Sequence, residues 1–186
     1  MTYYCPMDIR KRIRKQYEKL YNQYVDKIYR FIYIKIGHKE TSQDLTHQVF
    51  LKAWQRFKKQ GENNNRPKIE NPQAYFYQIA RNEINNYYRQ LPVQKIVSLE
   101  EIKTEIKDPD PIVEEKIIKS LDLETLRRAL LSLPEDYQNV VILHYLENYS
   151  FREIGKILEK EEGAVRVMAF RGLQKLKEKL LNNHIS

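Results

Sequence analysis

The chain has little of what most folds other than helical ones require. Glycine occurs five times in 186 residues, while Leu, Ile, Lys, Glu and Tyr are common, a balance that favours an all-helical fold. The single cysteine, Cys5, excludes an intramolecular disulfide and any cysteine-based zinc site. The four histidines, His38, His47, His144 and His184, show no ligand spacing such as HExxH, so neither a metal nor a cofactor is expected. No apolar run approaches the roughly 18 residues of a membrane span. The longest candidate, around Phe31 to Ile36, is cut by Arg30 and Lys35, and no membrane insertion is expected. The first residues lack the apolar core and small-residue cleavage site of a signal peptide, which points to a cytoplasmic protein. A Gly-rich phosphate loop, a nucleophile elbow and paired carboxylates at a workable spacing are all missing, so no catalytic residue is assigned and an enzyme is not expected.

What the chain does have is uneven positive charge. The formal net charge is +8. Residues 1–92 hold 18 Lys and Arg against 8 Asp and Glu; residues 93–133 hold 7 against 9; residues 134–186 hold 8 of each. A basic first half suits a phosphate backbone, which releases counterions when cations replace them. Solvated basic helix faces are the plainer alternative.

Apolar spacing predicts a helix over residues 10–36, with Leu20, Tyr24, Ile28, Phe31, Ile32 and Ile36 inward and Gly37 as its stop. Ser42 is the expected N-cap of a second helix running to about Phe57, with Leu45, Val49, Phe50, Ala53, Trp54 and Phe57 on one stripe. A polar loop from Gln60 to Glu70 follows. Asn71 as N-cap and Pro72 as first helical residue open a third helix, whose second face is aromatic, amide-rich and basic. The stretch from Pro92 to Pro111 has three prolines, many acids and no helical period, and reads as a linker. Helices resume from about Ile112 to Leu131, and Pro134 starts another. The expected architecture is two small helical domains, 10–91 and 112–182, with the flexible linker 92–111 between them.

Residues 151–170 carry the sharpest pattern. Phe151, Ile154 and Leu158 fall on one face of a short helix, opened by a capping box of Ser150 and Glu153. Val165 and Met168 share a face of the next, and Gly155 stands where the two would cross. This is the helix-turn-helix arrangement that lays a second helix in the DNA major groove; an ordinary helical hairpin has the same period.

Four segments in order, DLTHQVFLKAW (44–54), NPQAYFYQIARNEINNYYR (71–89), LPEDYQNVVILHYLENYSFREIGKIL (133–158) and EGAVRVMAFRGLQKLKEKL (162–180), resemble the extracytoplasmic-function (ECF) group of bacterial RNA polymerase sigma factors. The likeness spans about residues 20–182. It implies a promoter-recognition subunit that catalyses nothing itself. Its first domain would be a sigma region 2-like bundle, binding the clamp helices of core RNA polymerase and the minus-ten element. Its second would be a sigma region 4-like helix-turn-helix, binding the minus-thirty-five element and the polymerase flap. By position, Asp44, Leu45, His47 and Gln48 fall in the polymerase-binding segment.

The loop 58–69 and the following helix match the part that captures minus-ten DNA. Opening a duplex costs stacking energy, which pockets and stacking surfaces for the released bases offset. Tyr75 and Tyr77 would stack, Asn82 and Asn86 would present amides to base edges, and Arg81 and Arg89 would hold phosphates. Tyr75 is open to a second reading as core, and which residue of 58–71 reads a flipped base stays open. In the second domain Arg152, Glu162, Arg166, Phe170 and Arg171 are the expected DNA-facing residues. The family is commonly held by an anti-sigma partner, though no residue here identifies one. The competing reading is a stand-alone helix-turn-helix DNA-binding regulator, which would account for 150–180 and leave 44–89 without a role.

Overall fold

The structure, a computed structural model, describes residues 6–62, 69–91 and 123–183. Their regular elements are all helices, joined by short turns, with no strand among the described residues. They fall into two compact units, with the boundary at Gln90–Leu91. The expected linker 92–111, the start of the helix expected from Ile112, and residues 63–68 of the polar loop lie outside the described residues.

The first unit is three helices: α1 (Pro6–Ile36), α2 (Lys39–Glu62) and α3 (Pro72–Gln90). α1 presents Tyr17, Tyr24, Ile28, Phe31 and Ile32 to the interior at seven-, four- and three-residue steps, the spacing of one helical face. It stops at Gly37, whose φ of 75° is a left-handed conformation that a side chain would strain. Ser42 does not cap α2. It is fully buried one turn inside the helix, where its hydroxyl donates to the His38 carbonyl at 2.7 Å. His38 takes the capping place instead: its Nδ1 receives the Thr41 N–H at 3.4 Å and sits 3.0 Å from the Thr41 hydroxyl. α2 also continues past Phe57, through Gly61 and Glu62, into what reads as loop in the sequence. α3 opens as expected, with the Asn71 Oδ1 accepting the Ala74 N–H at 3.1 Å and Pro72 in the first helical position.

Aromatic rings close this core. Phe76 of α3 packs against Phe50 of α2 at 4.9 Å and Tyr24 of α1 at 5.5 Å. Truncating a buried phenylalanine of this kind costs about 3–5 kcal/mol. Three polar ties set the helix register. The Tyr17 hydroxyl donates to the Phe50 carbonyl, and the Tyr88 hydroxyl to the Lys35 carbonyl at 2.6 Å. Lys52 of α2 reaches the buried Glu83 carboxylate of α3 at 2.6 Å. Burial pushes the Tyr17 phenol well above its ordinary pKa, with the neighbouring Tyr21 adding to the shift, so it stays a donor at every working pH.

The second unit comprises α4 (Leu123–Leu131), α5 (Glu135–Val141) continuing into a π-helical turn (Ile142–Leu146), α6 (Phe151–Leu158) and α7 (Glu162–Asn183). Val140, Ile142, Leu143, Ile154 and Val165 are fully buried at its centre. Gly172 lets α5 and α7 close on each other, since a Cβ there would lie 2.9 Å from the Val141 Cγ2. In α4, partial burial alone would raise the Glu124 carboxyl. Arg127 at 2.9 Å and Arg128 at 3.1 Å outweigh it and hold the group below the usual carboxylate range.

Candidate nucleic-acid interface

Local chemistry builds the helix-turn-helix of α6 and α7. The capping box is complete: the Ser150 Oγ accepts the Glu153 N–H at 3.3 Å, and the Glu153 carboxylate accepts the Ser150 N–H at 2.9 Å. The turn Glu159–Glu161 bends back through Glu159, at φ 56°, so that the Lys160 N–H meets the Gly155 carbonyl at 2.9 Å. A Cβ on Gly155 would stand 2.6 Å from the Lys160 carbonyl oxygen. The close approach that requires glycine is thus to the turn's own backbone, a more local cause than a crossing of two helices. Val165 and Ala169 then seat α7 on the core, with Met168 half-buried beside them.

The opposite face of α7 is open. Glu162, Arg166 and Arg171 are exposed, as is Arg152 on α6, and Phe170 keeps 63% of its surface in solvent. Arg166 is oriented without being buried. Its guanidinium is 3.2 Å from the Glu162 carboxylate and lies 5.6 Å from the centre of the Phe151 ring. Phe151 in turn packs on His144 at 4.3 Å, and the His144 Nδ1 sits 2.9 Å from the Tyr149 carbonyl. Two further features share this face. Val167 is exposed one turn before Phe170, and Gly163 has nothing within 4 Å of the place its Cβ would occupy. Both are visible in the sequence as positions out of phase with Val165 and Ala169. An outward strip of charged, aromatic and bare-backbone positions on one exposed helix suits base edges and phosphates in a major groove.

On α3, Asn82, Asn86 and Arg89 are exposed on one strip, and Arg81 and Tyr75 are half-buried. Gln78, four residues before Asn82, adds an exposed amide that the sequence pattern alone does not single out. Tyr77 cannot stack on a base. It is fully buried, its ring edge-on to Phe31 at 5.2 Å and 86°, so it is a core residue.

On α2, Asp44, His47 and Gln48 are exposed, but Leu45 is not: at 6% exposure it packs in the core, and the helix turns its neighbours outward. The apolar member of this surface is Leu51, 57% exposed, one turn beyond His47 and Gln48. It lies outside the buried stripe of α2, which is the signal that marks it.

An all-helical pair of units, the second ending in a helix-turn-helix with its outer face open, defines a DNA-binding transcription protein. Residues 20–91 match the family described as Sigma-70 region 2, and residues 123–176 that described as Sigma-70, region 4. The chain belongs to the sigma-70 family of RNA polymerase sigma factors, in its ECF group. It is 29% identical over 161 residues to the ECF RNA polymerase sigma factor BldN of Streptomyces coelicolor, an alignment covering 85% of this chain and 58% of BldN. It is 27% identical over 188 residues to the ECF RNA polymerase sigma factor SigW of Bacillus subtilis, covering 94% of this chain and 97% of SigW. In fold it is similar to the sigma factor RpoE of Bartonella quintana, solved in complex with the anti-sigma factor NepR, with a TM-score of 0.61 and 19% identity over 89% of this chain and 97% of that one. No helix among the described residues is long and apolar enough to cross a membrane.

Proposed function

We propose that this protein is a dissociable, cytoplasmic subunit that directs core RNA polymerase to specific promoters and promotes DNA opening, and that it catalyses no reaction itself. Residues 10–91 serve as the region 2-like domain, 92–111 as the linker and 112–182 as the region 4-like domain. In the first, Asp44, His47 and Gln48, joined by Leu51, face the polymerase clamp helices. Tyr75, Arg81, Asn82, Asn86 and Arg89 face the minus-ten element. In the second, Arg152, Glu162, Arg166, Phe170 and Arg171 face the minus-thirty-five element, and the unit engages the polymerase flap. An inhibitory partner of the anti-sigma kind, as bound to the RpoE neighbour, fits the same reading.

The observation that carries it is the sequence of matches: a region 2 segment and then a region 4 segment, each on its own helical unit. A stand-alone regulator would need only α6 and α7, and would leave the exposed face of α2 around Leu51 without an occupant. Co-purification with core polymerase, followed by permanganate footprinting of thymines on promoter DNA, tests it. Binding to core and reactivity of thymines near the start site are expected. A chain that binds promoter duplex alone and never joins core polymerase would overturn it.

A further inference from the structure

The positive charge of the first unit is concentrated at one end. Tyr17 of α1 packs on Trp54 at 5.1 Å and Phe57 at 5.5 Å, and Tyr21 on Phe50 at 4.8 Å. The early turns of α1 therefore run beside the late turns of α2. Residues 11–19 and 51–60, which flank these contacts, hold nine Lys and Arg against one acid, Glu18. Their net charge of +8 equals that of the entire chain. Lys11, Arg12, Arg14, Lys15, Lys19, Lys58 and Lys59 are all exposed. Among the described residues Arg14 pairs with Glu18 at 2.9 Å and Lys52 with Glu83 of α3 at 2.6 Å, while Lys11, Arg12, Lys15, Lys19, Lys58 and Lys59 form no ion pair. The whole α1 portion, residues 11–19, precedes the stretch that matches region 2, which begins at residue 20.

Crowded cations with few acids among them repel one another, and a polyanion relieves that repulsion while releasing its own counterions. We infer that the paired ends of α1 and α2 form a second, sequence-independent surface for promoter DNA phosphates, separate from the base-reading strips of α3 and α7. The inference rests on the promoter-binding reading above. Its ligand is the DNA backbone, either of the duplex or of a strand released on opening.

The test combines Lys11→Gln, Lys15→Gln, Lys58→Gln and Lys59→Gln in the full chain assembled with core polymerase. The dependence of promoter affinity on salt is measured on duplex and on pre-opened, single-stranded promoter probes. The slope of log affinity against log salt becomes shallower by about 0.9 for each duplex phosphate no longer neutralised and by about 0.7 for each single-stranded one. Removing four such cations would thus take about 3.6 or about 2.8 from the slope, and the probe that shows the change identifies the source. The matching Lys→Arg combination should keep the original slope. An unchanged slope on both probes, with core binding intact, overturns the inference and leaves the function standing. If the unaltered chain forms no promoter complex with core polymerase, the functional reading fails first.

Discussion

Arg166 and Glu162 form an exposed pair at 3.2 Å on the outer face of α7, with side chains 67% and 48% exposed. Such a pair one helical turn apart adds only about 0.3–0.5 kcal/mol to stability. The Phe151 contact at 5.6 Å adds about 0.5–1 kcal/mol at an exposed site. Arg166→Ala should therefore lower the stability of the second unit by no more than about 1.5 kcal/mol. Its effect on promoter binding should be larger, because a bidentate arginine contact to a base edge is worth about 1–3 kcal/mol, or roughly five- to 150-fold in affinity. Glu162→Gln should act the other way. It frees Arg166 and removes a negative charge from a surface that meets phosphates, so binding should tighten by about twofold, the value of the broken ion pair. The assay is fluorescence anisotropy with reconstituted holoenzyme on promoter DNA with and without the upstream element, backed by thermal melts of the free chain. If Glu162→Gln weakens binding as much as Arg166→Ala, the carboxylate is itself a base contact and does not compete with DNA for Arg166.

Other outcomes follow from the packing. Gly155→Ala should destabilise the second unit by about 1–3 kcal/mol because its Cβ meets the Lys160 carbonyl, while Gly163→Ala, with open space around it, should stabilise the helix by up to about 1 kcal/mol; chemical denaturation separates them. Leu51→Ala should weaken core polymerase binding with unchanged melting, whereas Leu45→Ala should cost about 2–5 kcal/mol of stability and affect binding only through the fold. Asn82→Ala should impair open-complex formation, read by permanganate, more than polymerase binding. Because the Glu124 pKa is depressed, its contribution exists above the unfolded-state value and is lost as pH falls through the folded one. The stability gap between the native protein and Glu124→Gln should be largest near neutral pH and shrink below about pH 4.5.

Helix boundaries marked by local chemistry were readable in the sequence: Gly37, the Asn71–Pro72 start and the Ser150–Glu153 box all stand where expected. Ser42 misled because serine serves equally as a cap and as a back-bonded interior residue, and only the position of His38 decides between them. Tyr77 misled for a different reason. Tyr75, Phe76 and Tyr77 are consecutive aromatics, and the face that looks inward depends on where α1 lies; Phe31 takes Tyr77 into the core. Leu45 and Leu51 are both leucines on α2, so separating core from surface needs the phase of the whole stripe rather than residue type. The partnership of Arg166 with Glu162 and Phe151 spans two helices and lies beyond any single-helix pattern.

The most direct measurement is transcription by core polymerase with this chain over a promoter library randomised across the upstream and start-proximal regions. The account predicts two separate blocks of sequence preference, the upstream one altered by Arg166→Ala and the start-proximal one by Asn82→Ala. A single block of preference, or one that persists without core polymerase, would contradict it.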